Sequence, residues 1–132
     1  MPNWQPNWED VRWDYAAADR AARELDRAAD ELQSTSDARR QVADTAAAEW
    51  RGTYRRRFDQ QLAEALRASW WHAGEFRDAA ARIRRATQMA RDEQARRERD
   101  RERWRREKAD EDAQHARAQQ ARQQQARAAQ GG

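Results

Sequence analysis

Small and apolar residues recur along the first part of the chain in alternating steps of four and three positions. This spacing places them on one face of an α-helix and is typical of helices that pack side by side. The seam positions are Val11, Tyr15, Ala18, Ala22, Leu25, Ala29, Leu32, Ser36, Arg39, Ala43, Ala46 and Trp50. With Asn7 as the N-cap, the pattern predicts a helix over residues 8–49. Residues 34–37 are rich in serine and threonine and mark a candidate break, but the continuing seam favours one helix.

A second seam of the same kind follows and predicts a second helix over residues 54–90. Its positions are Phe58, Leu62, Ala65, Ser69, Ala73, Phe76, Ala80, Ile83, Thr87 and Ala90. The two predicted helices are similar in length, which is expected if the second folds back along the first.

The segment between the two seams has the residues of a tight reversal. Gly52 permits backbone conformations that other residues avoid, and Thr53 is a favourable N-cap for the next helix. Positions equidistant from this segment pair a large side chain with a small one, as facing helix layers require. Examples are Leu25 with Ala80 and Ala22 with Ile83. We therefore predict an all-α fold, an antiparallel helix-turn-helix hairpin over residues 8–90 with its turn at 50–53, preceded by an arm over residues 1–7.

Charged residues make up 39% of the 132-residue chain, and cysteine is absent. The absence of cysteine excludes disulfides, thiolate metal sites and a cysteine nucleophile. The first residues lack the basic and apolar regions of a signal peptide, and no apolar run is long enough to span a membrane.

The sequence contains no pattern typical of catalysis. The two histidines, His72 and His115, are far apart, and no glycine-rich phosphate loop or serine nucleophile motif is present. We therefore expect no enzymatic activity, no cofactor and no metal site.

The remaining residues, 91–132, hold twelve basic and nine acidic side chains, which accounts for the whole net charge of +3. Acids and arginines alternate at helical spacing up to Lys108, and low-complexity sequence rich in glutamine, alanine and arginine follows. A long charged extension, helical or disordered, is expected here. Because acids interrupt the arginines and only one aromatic is present, nucleic-acid binding is the less favoured interpretation.

Three groups of side chains are candidates for contacts with a partner. Adjacent tryptophans at 70 and 71 point about 100° apart on a helix, so both cannot enter one seam. The predicted patch comprises Leu66, Trp70 and Trp71. A basic cluster at the start of the second helix suits an acidic partner surface, and it comprises Arg55, Arg56 and Arg57. Trp4, Trp8 and Trp13 form a third group, which can pack beside Trp104, engage a partner or remain partly disordered.

The segment ending in Trp50-Arg51-Gly52, followed by Phe58 on a second helix of similar length, resembles the WXG family of type VII (ESX) secretion systems. This resemblance covers about residues 8–90 and assigns Trp50, Gly52 and Phe58 to the turn motif. It implies a non-enzymatic hairpin that pairs with a second hairpin, as a homodimer or heterodimer, in a four-helix bundle. It also implies synthesis in the cytoplasm and export without a cleaved signal peptide.

The family's Y-x-x-x-D/E export signal is missing after the second helix, since no tyrosine follows Tyr54. If the protein is exported, the signal is expected on its partner. Independently of the family, two helices cannot fully bury the large apolar side chains of residues 8–90, which also predicts association with a partner. The competing interpretation is a cytosolic coiled-coil adaptor or a nucleic-acid binder with an arginine-rich tail.

Overall fold

The computed structural model describes residues 1–131, which form two α-helices and no strand. Helix α1 spans Tyr15–Ala46 and helix α2 spans Thr53–Gly131. Two ion pairs show that they run antiparallel: Arg84 lies 2.6 Å from Asp26, whereas the earlier Arg77 lies 3.0 Å from the later Asp30. The predicted all-α helical hairpin is therefore confirmed.

The chain divides into two compact units, and α2 contributes residues to both. The hairpin unit comprises Trp13–Met89. The arm unit comprises Met1–Arg12 together with the residues from Ala90 onward.

The first helix begins at Tyr15, seven residues after the predicted start at residue 8. Asp14 is the N-cap, and its carboxylate accepts a 2.9 Å hydrogen bond from the Ala17 amide. The side chain of Asn7 instead accepts a 2.9 Å hydrogen bond from the Glu9 amide, a local turn that competes with helix formation. The prediction of Asn7 as the N-cap was therefore wrong.

The connection between the helices begins earlier than the predicted turn at residues 50–53. Helix α1 ends at Ala46, and the amide of Ala47 still donates to the Ala43 carbonyl at 2.9 Å. Trp50 thus lies in the connection and not at the end of the helix. Gly52 has a φ of +83°, in the left-handed region that glycine adopts without strain.

Substituting Gly52 with alanine should lower the free energy of unfolding by about 1–2 kcal/mol, because an L-residue is strained at this φ. Urea denaturation followed by circular dichroism measures the change. Gly74 provides a control inside α2, where an added Cβ meets no atom within 4 Å and the φ is not positive. Gly74→Ala should raise stability by about 0.5–1 kcal/mol. Equal effects at the two positions would contradict the assignment of Gly52 to the reversal.

Alanines dominate the buried positions of the hairpin unit. Those that are essentially inaccessible to solvent are Ala22, Ala29, Ala47, Ala73 and Ala80. The largest fully buried side chain is Ser36, whose hydroxyl donates a 2.8 Å hydrogen bond to the Leu32 carbonyl within the same helix. Helix α1 continues through residues 34–37, as the seam favoured, and the Ser36 hydroxyl is satisfied inside it.

Four predicted seam positions are exposed, and these are Arg39, Ala46, Trp50 and Ala65. Next to Ala46 and Ala65, the neighbours Ala47 and Leu66 are buried. On α2 the covered positions are Leu62 and, four residues later, Leu66 instead of the predicted Ala65. The larger leucine side chain, and not the alanine, therefore lies between the helices. Leu66 is 4% exposed and therefore cannot belong to the predicted surface patch.

Candidate protein-interaction surfaces

The turn brings together the three residues assigned to the motif. The rings of Trp50 and Phe58 meet edge to face, with centroids 5.4 Å apart, across the backbone reversal at Gly52. The guanidinium of Arg51 donates to the carbonyls of Ala48 at 2.9 Å and Trp50 at 2.7 Å. About half of the Trp50 surface remains exposed. Trp50 therefore packs within the turn while still presenting an aromatic surface.

The arginine cluster at the start of α2 has a structural component. Arg55 donates to the Ala47 carbonyl at the end of α1 and pairs with Asp59 at 3.0 Å. A positive charge at this helix C-terminus is favourable because the last carbonyls and the helix dipole are negative there. Arg56 and Arg57 are exposed. The structure thus explains one member of the cluster locally and leaves two on the surface.

The two adjacent tryptophans lie in different environments. The guanidinium of Arg40 on α1 lies 5.1 Å from the ring centroid of Trp70 in a cation–π arrangement, and Trp70 is 38% exposed. Trp71 is 63% exposed, with an edge-to-face contact to His72. Trp71 is therefore the more accessible of the two for a partner.

Other large apolar side chains of the hairpin unit also face solvent. The most exposed are Val42, Tyr54 and Met89. Val42 lines a shallow groove on α1 with Gln41, Thr45 and Ala46. Large side chains thus remain outside a core made mostly of alanine.

The arm unit contains an aromatic site in which the N-terminal tryptophans Trp4 and Trp8 contact Trp104. The rings of Trp8 and Trp104 meet edge to face at 5.3 Å, and Trp104 Nε1 donates to the Trp4 carbonyl at 2.9 Å. Trp13 does not join them, because its Nε1 donates to Thr87 Oγ1 at 3.0 Å in the hairpin unit. The sequence signal for this site is a Pro-Asn-Trp repeat at residues 2–4 and 6–8, in which both prolines are buried.

Polar side chains of α2 hold the arm through its backbone. Arg101 donates to the carbonyls of Asn7 and Glu9 and to the carboxylate of Asp10, each at 2.9 Å. Arg97 donates to the same Glu9 carbonyl at 2.9 Å. Both arginine side chains are largely covered: 21% of the Arg97 side chain and 13% of the Arg101 side chain are exposed.

The pKa of Asp10 is lowered below its ordinary value of 3.8, first by a hydrogen bond from Gln94 and then by one from Arg101. A depressed folded-state pKa contributes stability above the unfolded pKa, and this contribution is lost as the pH falls through the folded value. The contribution of Asp10 to docking of the arm should therefore be constant from neutral pH to about 4 and be lost only as the pH falls below 3.8. The amide exchange rate of Val11, which donates to Gln94 at 2.8 Å, reports docking. Release centred near neutral pH would contradict this assignment.

Among residues 1–131, no group of three or more histidine or acidic side chains is arranged to hold a metal ion. Within the same residues, no helix is long and apolar enough to cross a membrane.

Comparison with known proteins returned no matching family model, no matching curated protein and no matching solved structure. Functional inference for this chain therefore rests on its own residues and their arrangement.

Proposed function

We propose that this protein is a non-enzymatic interaction module, a WXG-like hairpin that pairs with a second protein as a helical bundle. In this proposal it serves a type VII secretion system as a substrate, partner or adaptor. The observation that carries the proposal is the turn, where Trp50 packs on Phe58 across Gly52 between antiparallel helices.

The distribution of apolar side chains supports association. The two helices bury mainly alanines, whereas Trp71, Val42, Tyr54 and Met89 are more than half exposed. Large apolar side chains contribute little to stability while they face water, and each gains about 1.5–3 kcal/mol when fully buried. Tryptophan and tyrosine are also frequent at the energetic centres of interfaces. A second helical hairpin offers the elongated apolar surface that would cover them.

The partner surface we favour includes Trp71 and Trp70, with Arg56 and Arg57 placed to meet acidic groups. Leu66 is excluded because it is buried inside the hairpin. The partner is a second copy of the chain or a different hairpin protein.

The experiment is co-expression with the product of the neighbouring gene, followed by affinity purification of the complex. Trp71→Ala should reduce recovery of the partner at least tenfold, as expected for a tryptophan at the centre of an interface. Trp8→Ala in the arm unit is the matched control and should leave recovery unchanged. Equal recovery with both variants would place the interface elsewhere and contradict the proposed surface.

Export is tested separately. The protein should be made in the cytoplasm and appear outside intact cells only when the secretion system is active, without loss of an N-terminal peptide. Retention inside cells with an active system would remove the substrate role. Binding to DNA or RNA at physiological salt that is lost on removing residues 91–132 would favour the alternative nucleic-acid function.

A further inference from the structure

One face of α2 in the arm unit is already occupied by an extended peptide, the N-terminal arm. The face carries side chains spaced three or four residues apart, and these are Gln94, Arg97, Arg101, Trp104 and Glu107. The arm runs antiparallel to them: Val11 contacts Gln94, Asn7 contacts Arg101, and Trp4 contacts Trp104 and Glu107. Among residues 1–12 no helix or strand is formed.

Much of this recognition is directed at the backbone of the arm. The carbonyl of Trp4 accepts a hydrogen bond from Trp104, and that of Asn7 accepts one from Arg101. The carbonyl of Glu9 accepts from both Arg97 and Arg101. The sole amide in this set is that of Val11, which donates to the side chain of Gln94. These donors satisfy the backbone of an extended segment, which has no helical hydrogen bonds of its own. The face can therefore hold an extended peptide without depending on every side chain.

Side-chain contacts add selectivity at fixed positions. Trp4 Nε1 donates to Glu107 at 2.6 Å, and the guanidinium of Arg103 lies 4.3 Å from the Trp4 ring centroid. Trp8, four residues later, packs on Trp104, and the guanidinium of Arg105 lies 5.5 Å from its ring centroid. The two positions thus accept tryptophans with a spacing of four.

An acidic residue after the second tryptophan completes the match. The carboxylate of Asp10 accepts from both Arg101 and Gln94 at 2.9 Å. The prolines that precede each tryptophan are buried, and their restricted φ favours an extended backbone.

We propose that residues 94–107 of α2 form a peptide-docking surface, and that the N-terminal arm is the intramolecular occupant that keeps it closed. The ligand is a segment of another protein that is extended, carries the Pro-x-Trp unit twice at a spacing of four, and continues into an acidic residue. This inference is independent of the proposed pairing of the hairpin unit, because all of its contacts lie within the arm unit.

The tether determines how the surface responds to such a ligand. An occupant joined to its site has an effective concentration in the millimolar range, so a free peptide competes poorly until the arm is weakened. Substitutions confined to the arm should therefore open the surface without altering its own residues.

The test uses a fluorescent synthetic peptide with the sequence of residues 1–12 and the full-length chain. The peptide should bind the Trp4→Ala/Trp8→Ala chain at least tenfold more tightly than the unsubstituted chain, as measured by fluorescence anisotropy. Adding Trp104→Ala should abolish this binding, whereas adding Trp71→Ala should not. Circular dichroism confirms that each variant remains helical. Equal binding to the open and unsubstituted chains, or binding that persists without Trp104, would overturn the proposal.

A second measurement needs no substitution. Millimolar peptide added to the unsubstituted chain should displace the arm and accelerate exchange of the Val11 amide, whereas a peptide with both tryptophans replaced by alanine should not. Unchanged exchange would overturn the proposal. The proposal would also be overturned if the molar mass of the chain doubled with concentration and Trp104→Ala prevented this doubling. That result would assign the surface to the arm of a second copy.

Discussion

Replacing Leu66 with alanine should lower the free energy of unfolding of the hairpin by about 2–4 kcal/mol. Leu66 is the one large aliphatic side chain among the buried hydrophobic residues of the described chain, and the others are alanines. Its truncation removes apolar contacts and leaves a cavity at a buried position. Urea denaturation followed by circular dichroism measures the loss.

The control for this substitution is the adjacent position. Ala65 is exposed, so Ala65→Gln should change stability by less than about 0.5 kcal/mol. The pair distinguishes the observed seam from the predicted one, which placed Ala65 between the helices. A large loss with Ala65→Gln and a small one with Leu66→Ala would show that the helix face is assigned incorrectly.

Enlarging Ala80 to leucine should destabilise the hairpin by about 1–3 kcal/mol, although leucine is more apolar than alanine. Ala80 is completely buried, and the larger isobutyl side chain of leucine there must displace its neighbours or adopt a strained rotamer. Thermal and urea denaturation of the variant provide the measurement.

The matched substitution is Ala63→Leu on the exposed surface of α2. Alanine and leucine have similar helix propensities, so this change should have little effect on stability. A stabilising effect of Ala80→Leu would show that the helices are separated by unfilled space and would contradict close packing through small side chains.

Sequence periodicity predicted the hairpin because the residues that pack between the two helices recur with the helical repeat. Small residues such as Ala22, Ala29, Ala73 and Ala80 recur at the contact, and the structure buries all of them. Gly52 was predicted at the reversal because glycine adopts backbone conformations that other residues avoid, and its φ of +83° confirms this.

Helix boundaries and the exact seam were less predictable because neighbouring residues had similar local preferences. Asn7 and Asp14 are both good N-caps, but Asp14 caps the helix whereas the Asn7 side chain accepts from the Glu9 amide in a local turn. Similarly, Ala65 and Leu66 both suit a helix seam, and only packing against α1 decides between them.

Long-range contacts of the arm lay beyond the local pattern. Arg101 and Asn7 are separated by 94 positions, and nothing in the spacing of either segment specifies their contact. Arg55 is similar on a smaller scale: its positive charge is unfavourable at the start of α2 but favourable at the end of α1, which only the folded turn brings within reach.

Association through the exposed faces of the hairpin is the central functional claim, and the molar mass in solution tests it most directly. Light scattering is applied to the purified chain alone and to the chain co-expressed with the product of the neighbouring gene. We predict a mass of two chains in at least one preparation, with a return towards 15.6 kDa for Trp71→Ala when the chain pairs with itself. A stable, folded monomer in both preparations would contradict the claim.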